Sequence, residues 1–321
     1  MQNNKISPTL LSHTYEVEID LKNDWNKILN KRLENMGYKL DKGKYEEVDY
    51  FKALKKLIPM KPRSILYSKE FICPHDSKNG LSLVEESIIK GANLAPFMSR
   101  QVIDPQYNDL LLNDWGIYHF HLNTKRDKDG FIKRSAWLLL AYIDENHAYF
   151  INVYPHNRPN LWTHQKMMEI LYNNWPDMME KFHLKGFSSL SRKIDDKEYA
   201  QLRKAGISAF VEVGKDKIFT LMGGGYASDG SSIAAVSESN HWNNYLRKIE
   251  LYIKEEYYNF KQQMLRFDEK SMDKTLKIEM LNLTDDELIL LEKERMVLIK
   301  FNHENGDIRI CRLIDIIWDI K

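Results

Sequence analysis

The chain has 321 residues, 43% of them hydrophobic and 12% aromatic. That is enough apolar material for a sizeable core and for two domains, or one core with an appendage, and it excludes a disordered chain. Its 47 basic residues nearly cancel 46 acidic ones. No general attraction to nucleic acid or to an anionic membrane is therefore expected, and any such binding must come from a local patch.

The opening residues, MQNNKISPTLLS, lack the basic start and apolar stretch of a secretory signal. The apolar run Trp137–Ile143 is seven residues, far short of the roughly 20 that a membrane-spanning helix needs. The two cysteines, Cys73 and Cys311, form neither a CxxC motif nor a disulfide framework. These features predict a cytosolic protein with no membrane association.

In chain order, TYEVEIDL (14–21) alternates as a half-buried strand. NDWNKILNKRLENMGYKL predicts a helix capped by Asn23, and EEVDYFKALKKLI a second one stopped by PMKPR. SILYSKEFICP reads as extended, and NGLSLVEESIIK as a helix ended by Gly91. From residue 115 the texture turns to strands: WGIYHFHL, FIKRSAWLLLAYI and HAYFINVYP, joined by the charged turn TKRDKDG and by DENH. Short connections of this kind predict an antiparallel meander.

A helix broken at Trp175-Pro176 follows, then a hairpin around GKD in residues 207–222. The glycine-rich GGGYASDGSS leads into a long helix from about Ser232 to Phe267, with one apolar face through Trp242, Leu246, Ile249, Ile253, Tyr257, Phe260 and Met264. The tail predicts a capped helix at TDDELILLEKE and a hairpin at MVLIKFNHENGDIRICRL. The expected fold is α+β: a central antiparallel or mixed sheet with helices packed on it, a helical N-terminal region and a small C-terminal module. The expected divisions are 1–112, 113–270 and 271–321.

The chemistry concentrates in the meander. Residues i and i+2 of a strand share a face, which places His119 and His121 side by side, about 6–7 Å apart. With Asp144–His147 as a four-residue loop, Ser135 faces His156; with Thr124–Gly130 as the first turn, His119 faces Ser135. His119, Ser135 and His156 would then form one row, with His121 and Lys133 in the next, and a one-residue slip would bring in Arg134 instead. Imidazoles beside a cation suit metal-independent RNA cleavage. One histidine takes the 2′-hydroxyl proton, another protonates the leaving oxygen, and the cation stabilises the phosphorane. Two other readings of the same residues exist: half-buried sheet histidines without chemistry, and a zinc site with His119, His121 and His156 as ligands.

The strand order of WGIYHFHL … KRSAWLLLAYIDENHAYFINVYPH resembles the sheet of RelE/ParE-like toxins, over residues 115–156. Those toxins pair a strand bearing catalytic side chains with an apolar strand and end on a strand running into a GH-like terminus. The resemblance implies a ribonuclease of toxin or phage-defence type, with Arg134 and His156 where such toxins carry basic and histidine residues. It also implies an inhibitory protein partner. The present chain is longer and less basic than those toxins. LLNDWGIYHFHL and GGGYASDGSS also resemble segments of a family of uncharacterised bacterial proteins.

Two further segments could bind substrate. Gly223, Gly224 and Gly225 with Ser231 and Ser232 could cradle a phosphate at the start of the long helix, or form a tight turn with a serine cap. Arg158, Trp162, His164 and Lys166 in NRPNLWTHQK combine an aromatic with cations, as single-stranded RNA recognition does; the alternative is a loop and a capped helix start. The sequence thus favours an RNA-acting enzyme needing no cofactor, with zinc as the alternative. The competing class is a non-catalytic sensor or assembly subunit that binds a protein partner.

Overall fold

The computed structural model describes residues 17–39, 45–187, 189–214, 216–267 and 275–313. They form two compact units, one of residues 33–239 and the other of the described parts of 1–32 and 240–321. The three-way division expected from composition is not the one contacts make. Residues 33–112 join the central sheet through a strand of their own, and the tail pairs with the N-terminal strand.

The chain begins with β1 (Val17–Ile19) and α1 (Leu21–Asn35). The side chain that accepts at the start of α1 is Asp20, from the Asn23 amide at 3.0 Å, so Asn23 lies inside the helix rather than capping it. Next come α2 (Glu47–Lys56), β2 (Ser64–Tyr67), α3 (Lys78–Lys90) and α4 (Leu110–Trp115). β3 (Ile117–His121), β4 (Trp137–Ile143) and β5 (His147–Pro155) are the meander. They are followed by α5 (Lys166–Asn174), α6 (Pro176–Glu180) and α7 (Asp196–Lys204). A small hairpin, β6 (Val211–Val213) and β7 (Lys217–Phe219), precedes α8 (Ile233–Glu255) and α9 (Tyr257–Leu265). The tail is β8 (Leu276–Leu283), β9 (Glu287–Glu292), β10 (Val297–Asn302) and β11 (Ile308–Arg312). The fold is α+β, as expected.

In the 33–239 unit the sheet order is β2-β5-β4-β3, with β2 parallel to β5 and the other pairs antiparallel. Burial on both faces explains why WLLLAYI carries no polar alternation. On one face Leu138, Leu140 and Ile151 pack with Met167, Met168 and Leu171 of α5, Tyr199 of α7 and Trp115. On the other, Phe120, Leu139, Ala141 and Phe150 pack with Leu81, Val84 and Ile88 of α3. His119 and His121 alternate with Phe120, so they belong to the α5–α7 side.

The pairing corrects the expected register. Ile143 does face Ala148, but a bulge between Leu140 and Ala141 shifts the ladder, leaving Ile151 without an opposite residue. The His156 amide then donates to the Ala136 carbonyl at 2.8 Å, one position from the Ser135 partnership expected. The β3–β4 expectation fails by more. His119 faces Leu140 and His121 faces Leu138. Residues 126–132 close a small turn of their own, through an Arg126–Ile132 bridge, and β4 starts only at Trp137.

In the other unit the order is β1-β8-β9-β10-β11, with β1 parallel to β8. TDDELILLEKE, expected to be helical, supplies β9. Thr284 Oγ1 accepts from the Asp286 and Glu287 amides and closes a β8–β9 turn, and Leu288, Leu290 and Glu292 alternate as buried residues. The same TDDE that reads as a helix cap is thus a hairpin turn. The MVLIKFNHENGDIRICRL hairpin forms as expected, and the single long helix expected is interrupted at Glu256.

The glycine loop is a packing device. Gly223 N–H donates to the Asp114 carbonyl at 2.9 Å, Gly225 to Asn113 at 2.8 Å, and Gly224 to Leu221 at 2.8 Å. A Cβ on Gly223 would lie 2.1 Å from the Leu112 carbonyl oxygen and 2.5 Å from that of Asn113. Gly223→Ala is therefore expected to destabilise the protein by at least about 3 kcal/mol, read as a lowered urea midpoint.

Candidate functional site

α4 and β3 deliver the histidines. Asp109 caps α4 by accepting from the Leu112 amide at 3.1 Å, and Gly116, with φ +66°, turns the chain directly into β3. His119 and His121 emerge two residues apart on the α5–α7 side, at 8% and 5% exposure. They line one cleft of about 660 Å³ together with His156, Arg134, Trp162, Asp109, Asn108, Arg203 and Lys204. The four expected catalytic residues are therefore brought together, by a register other than the one that suggested them.

The local geometry is specific. The His121 and His156 rings stack, 6.0 Å between centroids and 15° from parallel. The Ser135 amide donates to His121 Nδ1 at 3.3 Å, which puts the proton of the neutral ring on Nε2. Ser135 itself is fixed, its hydroxyl accepting from the Leu122 amide at 2.9 Å and donating to the Trp137 carbonyl. The Trp162 ring meets His119 edge-on at 5.0 Å and His156 at 6.1 Å. His119 Nδ1 is buried without a hydrogen bond, and the nearest carboxylate oxygen, Asp109 Oδ2, is 3.7 Å away.

Burial holds the His119 imidazole below its ordinary range, against the opposing pull of Asp109, and His156 adds to the depression. Burial also pushes His121 down from 6.5 to about 4, helped by the nearby charges of His119, His156 and Arg134. The folded protein thus refuses a proton that the unfolded chain accepts below about pH 6.5. Stability contributed by His121 is complete above that pH and is lost as pH falls toward 4. The loss should reach about 2 kcal/mol at pH 5. Comparing urea midpoints at pH 7 and pH 5 measures it, and His121→Gln should flatten the slope.

The remaining candidates lie elsewhere. Lys133 faces Asp127, with Nζ 3.8 Å from Oδ1. Arg158 donates to His164 Nε2 at 3.0 Å and sits over the Tyr154 ring, while His164 Nδ1 donates to Asp196 Oδ2 at 2.8 Å. Lys166 pairs with Glu169 at 2.7 Å. His164 and Lys166 line a second depression, of about 500 Å³, so of the four in NRPNLWTHQK only Trp162 reaches the histidine cleft. Gly223, Gly224 and Gly225 have their N–H groups engaged by carbonyls, and the group seated at this loop is a cation. Lys55 Nζ donates to the Gly223 carbonyl and, at 2.7 Å, to Ser232 Oγ. Burial lowers that ammonium to about 8. Ser231 bonds Asp229, and Ser232 Oγ also meets the Ala235 amide at the start of α8.

Asp109, Arg203 and Lys204 of this cleft had no sequence signal as site residues. Asp109 stands before an apolar run and was readable only as a cap. Arg203 and Lys204 come from the end of α7. Arg203 donates to the Trp162 carbonyl and to Asp114, and so fixes the tryptophan that touches two histidines.

Among the described residues no group of three or more His, Cys, Asp or Glu side chains is arranged to hold a metal ion. The zinc arrangement of His119, His121 and His156 is not formed here: two of the rings are stacked nearly parallel, and His121 Nδ1 already accepts from Ser135. No helix among the described residues is long and apolar enough to cross a membrane. Comparisons with protein families, with curated proteins and with solved structures find no match.

Proposed function

We propose that this protein is a metal-independent endoribonuclease, acting in a toxin or phage-defence role. The observation that carries the reading is the convergence of three histidines, Arg134 and a partly exposed tryptophan in one cleft. His119, neutral near pH 7 and backed by Asp109, takes the 2′-hydroxyl proton. The resulting 2′-oxygen attacks phosphorus, and the bond to the 5′-oxygen breaks. His156 donates a proton to that leaving oxygen, so the products are a 2′,3′-cyclic phosphate and a free 5′-hydroxyl. Arg134 and the Nε2–H of His121 stabilise the phosphorane charge, and Trp162 stacks a base. The 3.7 Å gap between Asp109 and His119 shortens to a hydrogen bond as the imidazole becomes charged.

The test is cleavage of total RNA by purified protein with and without EDTA, alongside the His119→Ala/His121→Ala double variant and a growth assay on induced expression. Cleavage in EDTA that the folded variant lacks supports the proposal, as does growth arrest that depends on the same histidines. Loss of cleavage in EDTA moves the chemistry to a metal. A folded wild type that neither cleaves nor arrests growth overturns the enzyme reading in favour of a subunit that binds a protein partner.

A further inference from the structure

The cleft's residues fall in an order that its contacts define. Lys204 adjoins Arg203, whose guanidinium holds the Trp162 carbonyl. The Trp162 ring touches His119 and His156, and His156 stacks on His121. Arg134 acts electrostatically on His121. Two exposed cations line the same cleft as this run of rings, Lys204 on α7 and Arg134 before β4. Among the described residues neither has an ion-pair partner, whereas Lys133, Lys166 and Arg203 all do. Two free cations and an exposed aromatic lining one cleft are the elements of a groove that follows a nucleic-acid backbone.

We propose that the cleft binds single-stranded polynucleotide lengthwise, with Lys204 holding a phosphate on the far side of Trp162 from the histidines and Arg134 holding the phosphate among them. This rests on the ribonuclease reading for the identity of the scissile phosphate, though not for the binding itself. The substrate is then an unpaired chain of several nucleotides rather than a mononucleotide. A base can lie on Trp162, which is 38% exposed, only if it is not engaged in a duplex.

Fluorescence anisotropy with labelled oligodeoxythymidine tests this, because DNA lacks the 2′-hydroxyl and persists whether or not the protein cleaves RNA. The probes are a dinucleotide and a chain of about twelve nucleotides, within the usual site size for such grooves. Wild type should prefer the longer probe, and Lys204→Ala should weaken its binding about three- to tenfold and lower the salt slope by about one. Lys204→Arg should restore both. Equal affinity of Lys204→Ala and wild type for the long probe, or wild-type affinity for a duplex equal to that for the single strand, overturns the proposal. RNA cleavage is measured on the same samples. Length-dependent binding without cleavage keeps the binding mode and removes the nuclease, and cleavage with an unaffected Lys204→Ala does the reverse.

Discussion

Replacing Arg203 with methionine is expected to lower the unfolding free energy by about 3–5 kcal/mol at pH 7, because it strands a buried carboxylate. Asp114 is 0% exposed, and Arg203 meets it through Nε at 3.0 Å and Nη2 at 2.5 Å while lying 4.9 Å over the Trp115 ring and 5.3 Å over that of Tyr199. Burial already pushes the Asp114 carboxyl up, with Arg203 the main opposing influence. Without the guanidinium the folded protein retains a proton that the unfolded chain gives up. The deficit should therefore shrink as pH falls toward the ordinary carboxylate range and grow as pH rises. Asp114→Asn placed on the methionine variant should recover part of the loss at pH 7. Urea unfolding of the three proteins at pH 7 and pH 5 checks both statements. If the deficit is under about 1 kcal/mol and independent of pH, the pair is not what holds α7 against α4.

What could be read from the sequence divides by range. The period-two spacing of His119 and His121 is local and survives any register, so their shared face was legible. The DENH loop is equally local, and Ile143 does face Ala148. Everything that depended on counting along β5 then failed, because the extra residue at Ile151 moves every later partner by one and no side chain near it announces a bulge. The long β3–β4 connection failed for another reason: its charged residues were assumed to form one loop, but Arg126 and Ile132 pair and close a smaller one. TDDE shows the limit of motif reading, since Thr284 offers its hydroxyl to the same amides in a hairpin turn as in a helix start. Long-range features carried no signal at all. β1 lies beside β8, whose residues are some 260 positions away along the chain, and Arg203 anchors Trp162 from another helix. The cleft was therefore half legible. Its histidines followed from strand periodicity, while Asp109, Arg203 and Lys204, which line the same cleft, come from helix ends whose placement only the fold decides.

On the ribonuclease reading, the pH profile of cleavage separates Asp109 as a positioning residue from Asp109 as a helix cap. His119→Ala and His156→Ala should each lower the rate by about 10²- to 10⁴-fold, the usual contribution of a positioned acid or base. The base must be neutral to work, so activity falls at low pH as His119 is protonated. Burial sets that limb below the ordinary histidine value of 6.5. Asp109 is the influence that raises the His119 value, and Asp109→Asn removes its charge. Asparagine still caps α4 through its side-chain oxygen, so folding should be preserved. The variant should cleave more slowly than wild type, with its acidic limb displaced to still lower pH. Initial rates on one RNA across pH 4 to 8 give both numbers. A slower variant with an unmoved limb would make Asp109 a cap alone, and the base would then have to be another histidine of the cleft.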